Sequence, residues 1–164
     1  MKEEKINLWN EIIEKLSEKK LTISTMESCT GGGIANEITN ISGASMIFKE
    51  AYVTYSNDAK IKQGVAKEKI EKYTVYSPEV AKEMARAVKQ NTKSAISIGV
   101  TGQLGRIDPN NPVDKLNTVW YAILNNKNEY MVQEVHVPDA KREKQKEIVI
   151  EDIAKKLLKN LESE

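Results

Sequence analysis

The chain has 164 residues, 40% hydrophobic and 30% charged, which is the make-up of a globular fold and excludes extended disorder away from the charged ends. With 25 basic against 24 acidic side chains the net charge is +1, so no overall basic surface exists for DNA and no nucleic-acid partner is expected. The one cysteine excludes an intrachain disulfide framework.

That length fits one compact domain over residues 1–164, able to bury roughly two thirds of its unfolded surface. The charged start, Met-Lys-Glu-Glu-Lys, lacks the apolar core of a secretory signal. No apolar run approaches the roughly 20 residues that span a bilayer. A cytoplasmic location without a membrane partner is therefore expected, and the single cysteine suits a reducing compartment.

Ile6, Trp9, Ile12, Ile13 and Leu16 fall at helical spacing and predict an amphipathic helix over 5–18. Leu21–Met26 alternates as a strand and ends abruptly at Glu27-Ser28-Cys29-Thr30-Gly31-Gly32-Gly33. Ile34, Ile38 and Ile41 then resume a helical period. A second strand is expected over Met46–Tyr55, followed by a short helix capped at Ser56-Asn57-Asp58 and carrying Lys60. Ser77-Pro78 starts another helix, lined by Val80, Ala81, Met84, Ala85 and Val88. Ala95–Val100 predicts a strand and 101–116 a loop. Thr118–Leu124 and Tyr130–Val137 predict a hairpin, and Ile150 to Leu161 marks a final helix. The order predicts an α/β fold, a three-layer αβα sandwich around a mixed, mostly parallel sheet.

Two segments carry candidate chemistry. Ser28 stands where a strand turns into a helix, and the following N–H groups, with the helix dipole, can hold a phosphate or an oxyanion. Three glycines weaken a helix but let backbone or ligand come close. By itself the segment is equally a serine N-cap with a flexible turn; it is not a P-loop, which needs Gly-Lys-Ser/Thr.

Tyr55 to Lys60 reads most simply as a strand end and a capped helix. A lysine in a first helical turn, if also buried, has its pKa lowered towards that of a general base. Ser–Lys pairs substitute for Ser–His–Asp elsewhere. His136, the one histidine, is expected on a strand rather than in a triad, and Cys29 as a small packed residue. No metal-ligand spacing exists, so no metal or cofactor is expected. Lys141–Lys146 reads as a solvated helix face, and Asp108–Pro112 as a surface loop.

Glu27–Gly32, Val53–Lys60, Val100-Thr101-Gly102, Pro112-Val113 and Thr118-Val119-Trp120 occur in one order, and together they resemble the CinA C-terminal domain family, nicotinamide-nucleotide amidohydrolases. The likeness runs from about Lys5 to Leu161. It implies an αβα fold and hydrolysis of nicotinamide mononucleotide to nicotinate mononucleotide and ammonia, a salvage reaction of NAD metabolism. It implies a catalytic Ser28, Tyr55 and Lys60. Thr30, Gly31, Gly32, Asn57, Thr101, Gly102 and Arg142 are the candidates for binding the substrate, Arg142 being loosely similar to an arginine of the family. No molybdopterin-binding-like domain is expected within these 164 residues, and a homo-oligomer is expected.

The family's glycine-rich IAGPGGG stretch and PVGTVW motif are replaced here by Gln103–Asn111 and Pro112–Trp120, with an insertion. Leu104 and Arg106 are therefore expected to reshape the pocket. Two alternatives follow: a catalytically inactive nucleotide-binding or protein-interaction module, or an amidohydrolase for a different small amide. The sequence assigns no role in the competence and DNA-damage contexts for which the family was named.

Overall fold

The computed structural model describes residues 2–112 and 114–163, without the side chains of residues 5–7. Val113 of the Pro-Val motif, the Ile6 side chain and Glu164 of the charged tail lie outside the described residues. The chain runs α1 (Lys2–Lys19), β1 (Ile23–Glu27), α2 (Gly33–Thr39), β2 (Phe48–Val53), α3 (Asn57–Lys62), α4 (Lys67–Tyr73), α5 (Pro78–Thr92), β3 (Ile96–Gln103), β4 (Thr118–Leu124), β5 (Tyr130–His136) and α6 (Arg142–Glu162).

The five strands form one sheet in the order β2-β1-β3-β4-β5. β1 pairs in parallel with β2 and with β3, while β4 is antiparallel to both of its neighbours. Four strands thus share one direction and β4 alone is reversed, as a hairpin partner of β5 must be.

Period-two alternation sorts the strand side chains between two faces. Ile96, Ile98 and Val100 of β3 join Val119, Tyr121 and Ile123 of β4 in a core shared with Trp9, Ile12 and Leu16 of α1 and Ile153 and Leu157 of α6. Trp120, Ala122 and Leu124 face the opposite way, onto Ala81 and Ala85 of α5. Helices therefore cover both faces, and the layers are αβα.

β3 and α5 pack unusually close. A Cβ on Gly99 would lie 2.4 Å from the Ala81 carbonyl oxygen and 2.5 Å from the Ala85 nitrogen, so only glycine fits there. Ser97, two residues earlier on the same face, donates to the Ala85 carbonyl at 2.7 Å.

The elements differ from expectation in three places. β3 continues through Thr101, Gly102 and Gln103, all buried, where a loop was expected from residue 101. Antiparallel pairing with β4 reaches Gln103↔Thr118 and keeps the chain extended. Residues 44–46 form a short 3-10 turn, so the second strand starts at Phe48 and stops at Val53. The helix α4 had no counterpart in the sequence reading. Its segment KEKIEKY buries one apolar side chain, Ile70, and so carries no periodic signal.

Candidate active site

β1, β2 and β3 are parallel, and the loops leaving their carboxyl ends meet at one edge of the sheet. Open α/β sheets place their ligands at that edge. Ser28 directly follows β1, and its N–H still donates to the Val100 carbonyl of β3 at 3.1 Å. The turn after it needs left-handed backbone at Gly31 (φ 58°) and Gly32 (φ 90°), where side chains are disfavoured.

The buried Glu27 carboxylate occupies the N-terminus of α2. It accepts from the Ile34 N–H at 2.9 Å, the Ala35 N–H at 3.0 Å and the Thr30 hydroxyl at 2.7 Å. The helix terminus expected to face a ligand is therefore satisfied from within, and its dipole stabilises a protein carboxylate. The turn itself is different. Among the described residues, the amides of Thr30 and Gly32 have no protein acceptor.

β2 delivers Lys60. The Ser56 hydroxyl caps α3 by accepting from the Ala59 N–H at 3.0 Å, and the next residue turns inward. Lys60 is 1% exposed, its ammonium nitrogen 2.9 Å from Ser28 Oγ and 2.7 Å from the Thr54 carbonyl oxygen. Desolvation dominates its titration and lowers the amine from 10.5 to about 8. A neutral Lys60 can donate to Thr54 and accept from the Ser28 hydroxyl, which is the arrangement a general base needs.

Tyr55 sits elsewhere. Its ring is 62% exposed, and its hydroxyl accepts from Arg142 Nη2 at 3.0 Å rather than meeting Ser28 or Lys60. Arg142 begins α6 and lies across Gly105, whose absent Cβ would fall 3.0 Å from Arg142 Cγ. Asn57 donates to Asn111 Oδ1 at 2.8 Å.

The two threonines expected at the substrate are fully buried and engaged. Thr30 donates to Glu27 and Thr101 to the Val75 carbonyl at 2.9 Å, so each holds the frame of the site. Gly102 contacts β4 so closely that a Cβ would lie 2.7 Å from the Thr118 carbonyl oxygen, while Gly31 lies under Lys146.

A cavity of about 500 Å³ opens beside Ser28, with Tyr55, Asn57, Arg106, Asp108 and Arg142 in its walls. Leu104, expected to reshape the pocket, lines the cavity but is only 3% exposed, because it also packs into the core on the α1–α6 side of the sheet. The segment 103–111 forms a wall of the cavity. It is stapled by Asp108, which accepts from Tyr76 at 2.6 Å and from the Asn110 N–H at 2.9 Å.

Glu27, Tyr76, Gln103 and Asp108 were not picked out in the sequence. For Glu27 a signal existed: a charge ending an otherwise buried parallel strand must have a partner. Cys29 is buried and its thiol is pushed up to about 12 by desolvation, which makes it inert. His136 is on edge strand β5, beside Glu134. No cluster of metal-ligating side chains occurs among the described residues, nor any helix long and apolar enough to cross a membrane.

Fold and site together define a three-layer α/β protein with a buried serine–lysine pair at the carboxyl edge of its parallel strands. The chain belongs to the CinA C-terminal domain family, whose model matches residues 5–162. A CinA-like protein of Flavobacterium psychrophilum is 50% identical over 91 residues, covering 55% of this chain and 22% of that protein. The match thus spans less than a quarter of that relative's length.

Among solved structures, the competence/damage inducible protein CihA of Agrobacterium tumefaciens superposes with a TM-score of 0.86 at 27% identity, covering 96% of this chain and 95% of that one. A CinA superfamily protein of Klebsiella pneumoniae gives 0.88 at 20% identity, covering 98% and 99%. The latter likeness speaks to the fold alone.

Proposed function

We propose that the protein is an amidohydrolase that deamidates nicotinamide mononucleotide, with Ser28 as nucleophile and Lys60 as general base. One observation carries the reading: a desolvated amine lies 2.9 Å from a serine oxygen beside an open cavity. Neutral Lys60 takes the Ser28 proton as Oγ attacks the carboxamide carbon. The unengaged amides of Thr30 and Gly32 stabilise the oxyanion. The proton then passes to the departing nitrogen, ammonia leaves, and water activated by Lys60 frees nicotinate mononucleotide.

Tyr55, on the rim and held by Arg142, keeps its own proton available to a substrate group. Arg106, in the wall of the same cavity, supplies the charge that a phosphate needs.

Ammonia release from nicotinamide mononucleotide is the test. Ser28→Ala and Lys60→Met are each expected to lower kcat at least about 1000-fold. Full activity in Ser28→Ala would eliminate the nucleophile. Ligand-induced thermal stabilisation with no turnover would instead favour a silent nucleotide-binding module, and turnover of another amide alone would move the substrate.

A further inference from the structure

The cavity beside Ser28 carries charges of both signs, with Arg106, Arg142, Asp58 and Asp108 in its lining. The two aspartates are held differently. Asp58 is exposed, in the first turn of α3. Asp108 is half-buried and fixed by three donors: the Tyr76 hydroxyl at 2.6 Å and Asn111 Nδ2 at 3.0 Å on one oxygen, and the Asn110 N–H at 2.9 Å on the other. Its own N–H donates to Gln103 Oε1 at 2.7 Å.

The Tyr76 hydrogen bond, followed by those from Asn111 and Asn110, holds the Asp108 carboxyl below the usual carboxylate range, so the negative charge persists at neutral pH. Among the described residues no lysine or arginine pairs with it. Its field reaches Lys60 behind Ser28. The pocket thus combines a rigid anion, not neutralised by a cation, with two arginines.

A nicotinamide nucleotide has the complementary form: a ring nitrogen with a fixed positive charge at one end and a phosphate at the other. We propose that Asp108 is a specificity-determining residue, selecting amides on a positively charged ring over the same amides on a neutral ring. The inference rests on the reading of the site as a nicotinamide-nucleotide amidase and adds the substrate feature that is selected.

The test compares nicotinamide mononucleotide with its reduced form, which keeps the amide, ribose and phosphate but has an uncharged dihydropyridine ring. Binding of each is measured by calorimetry to Ser28→Ala protein, which prevents turnover. The oxidised nucleotide is expected to bind about tenfold more tightly. Asp108→Asn in the same background brings the two affinities within about twofold, by weakening the oxidised form. Asp58→Asn, which removes the same formal charge from the rim, leaves the ratio unchanged.

A disturbed loop would weaken both ligands alike, so only the ratio reports the charge. A ratio unmoved by Asp108→Asn, or moved equally by Asp58→Asn, overturns the proposal, as does binding of neither nucleotide. Ammonia release by the chain with Ser28 intact is scored separately. Absent turnover with the predicted ratio ends the amidase reading alone, whereas turnover with a flat ratio ends only the role of Asp108.

Discussion

A lysine that is 1% exposed and has no carboxylate within ion-pair distance among the described residues opposes folding. The drop from 10.5 to about 8 corresponds to a burial cost on the order of 3 kcal/mol while the amine is charged in both states. Two pH effects follow. With only the neutral amine acting as base, about a tenth of the molecules are competent at pH 7, so kcat/KM is expected to rise tenfold per pH unit up to about 8 and then level.

Stability follows the same group with its own sign. Between about 8 and 10.5 the unfolded chain binds more protons than the folded one, so Lys60 adds stability as pH rises and none below that window. Cys29 acts oppositely, because burial raises its thiol from 9.0 and stability is lost as pH climbs above that value. The window from 8 to 9 is therefore where Lys60 shows. Unfolding free energies of the wild type and Lys60→Met, compared across it, are expected to diverge in favour of the wild type by about 1 kcal/mol. A constant difference would mean that the amine is not desolvated.

At the scale of elements, the turn between β1 and α2 depends on Glu27 more than on its glycines. The carboxylate joins strand end, turn and helix start through charge-assisted bonds to the Ile34 and Ala35 amides. Glu27→Gln retains one acceptor oxygen and turns an NH2 group toward a backbone donor. It is expected to lower stability by about 2 kcal/mol, or roughly 4–8 °C, when melting is followed by circular dichroism. An unchanged midpoint would show that water satisfies those amides.

The same elements show what the sequence could reveal. Helices with many buried positions, such as α5 with Val80, Met84 and Val88, announced themselves by period, and so did the β4–β5 hairpin. Ser28 and Lys60 were legible because each stands at the end of a strand-like run beside turn chemistry. Asp108 was not, because its importance comes from Tyr76, 32 residues away, and no local pattern encodes that pairing. Thr30 and Thr101 drew notice for motif membership, while tertiary hydrogen bonding had already engaged their hydroxyls.

At the scale of the whole molecule, the pocket is closed by contacts between distant parts of the chain. Tyr55 leaves edge strand β2, Arg142 opens α6, and the bond between them spans 87 positions. Both side chains are exposed, so their contact adds little to stability, and each substitution is expected to leave the thermal midpoint within about 1 °C. If the bond serves the reaction by fixing the phenol over the cavity, removing either partner removes the same arrangement. Tyr55→Phe and Arg142→Ala are then each expected to lower kcat/KM about 10- to 100-fold, with the double variant no worse than the weaker single by more than about twofold. Losses that multiply would instead mean independent roles, with the arginine binding phosphate and the phenol acting alone. The cycle therefore separates a cross-chain strap from two residues that happen to be neighbours.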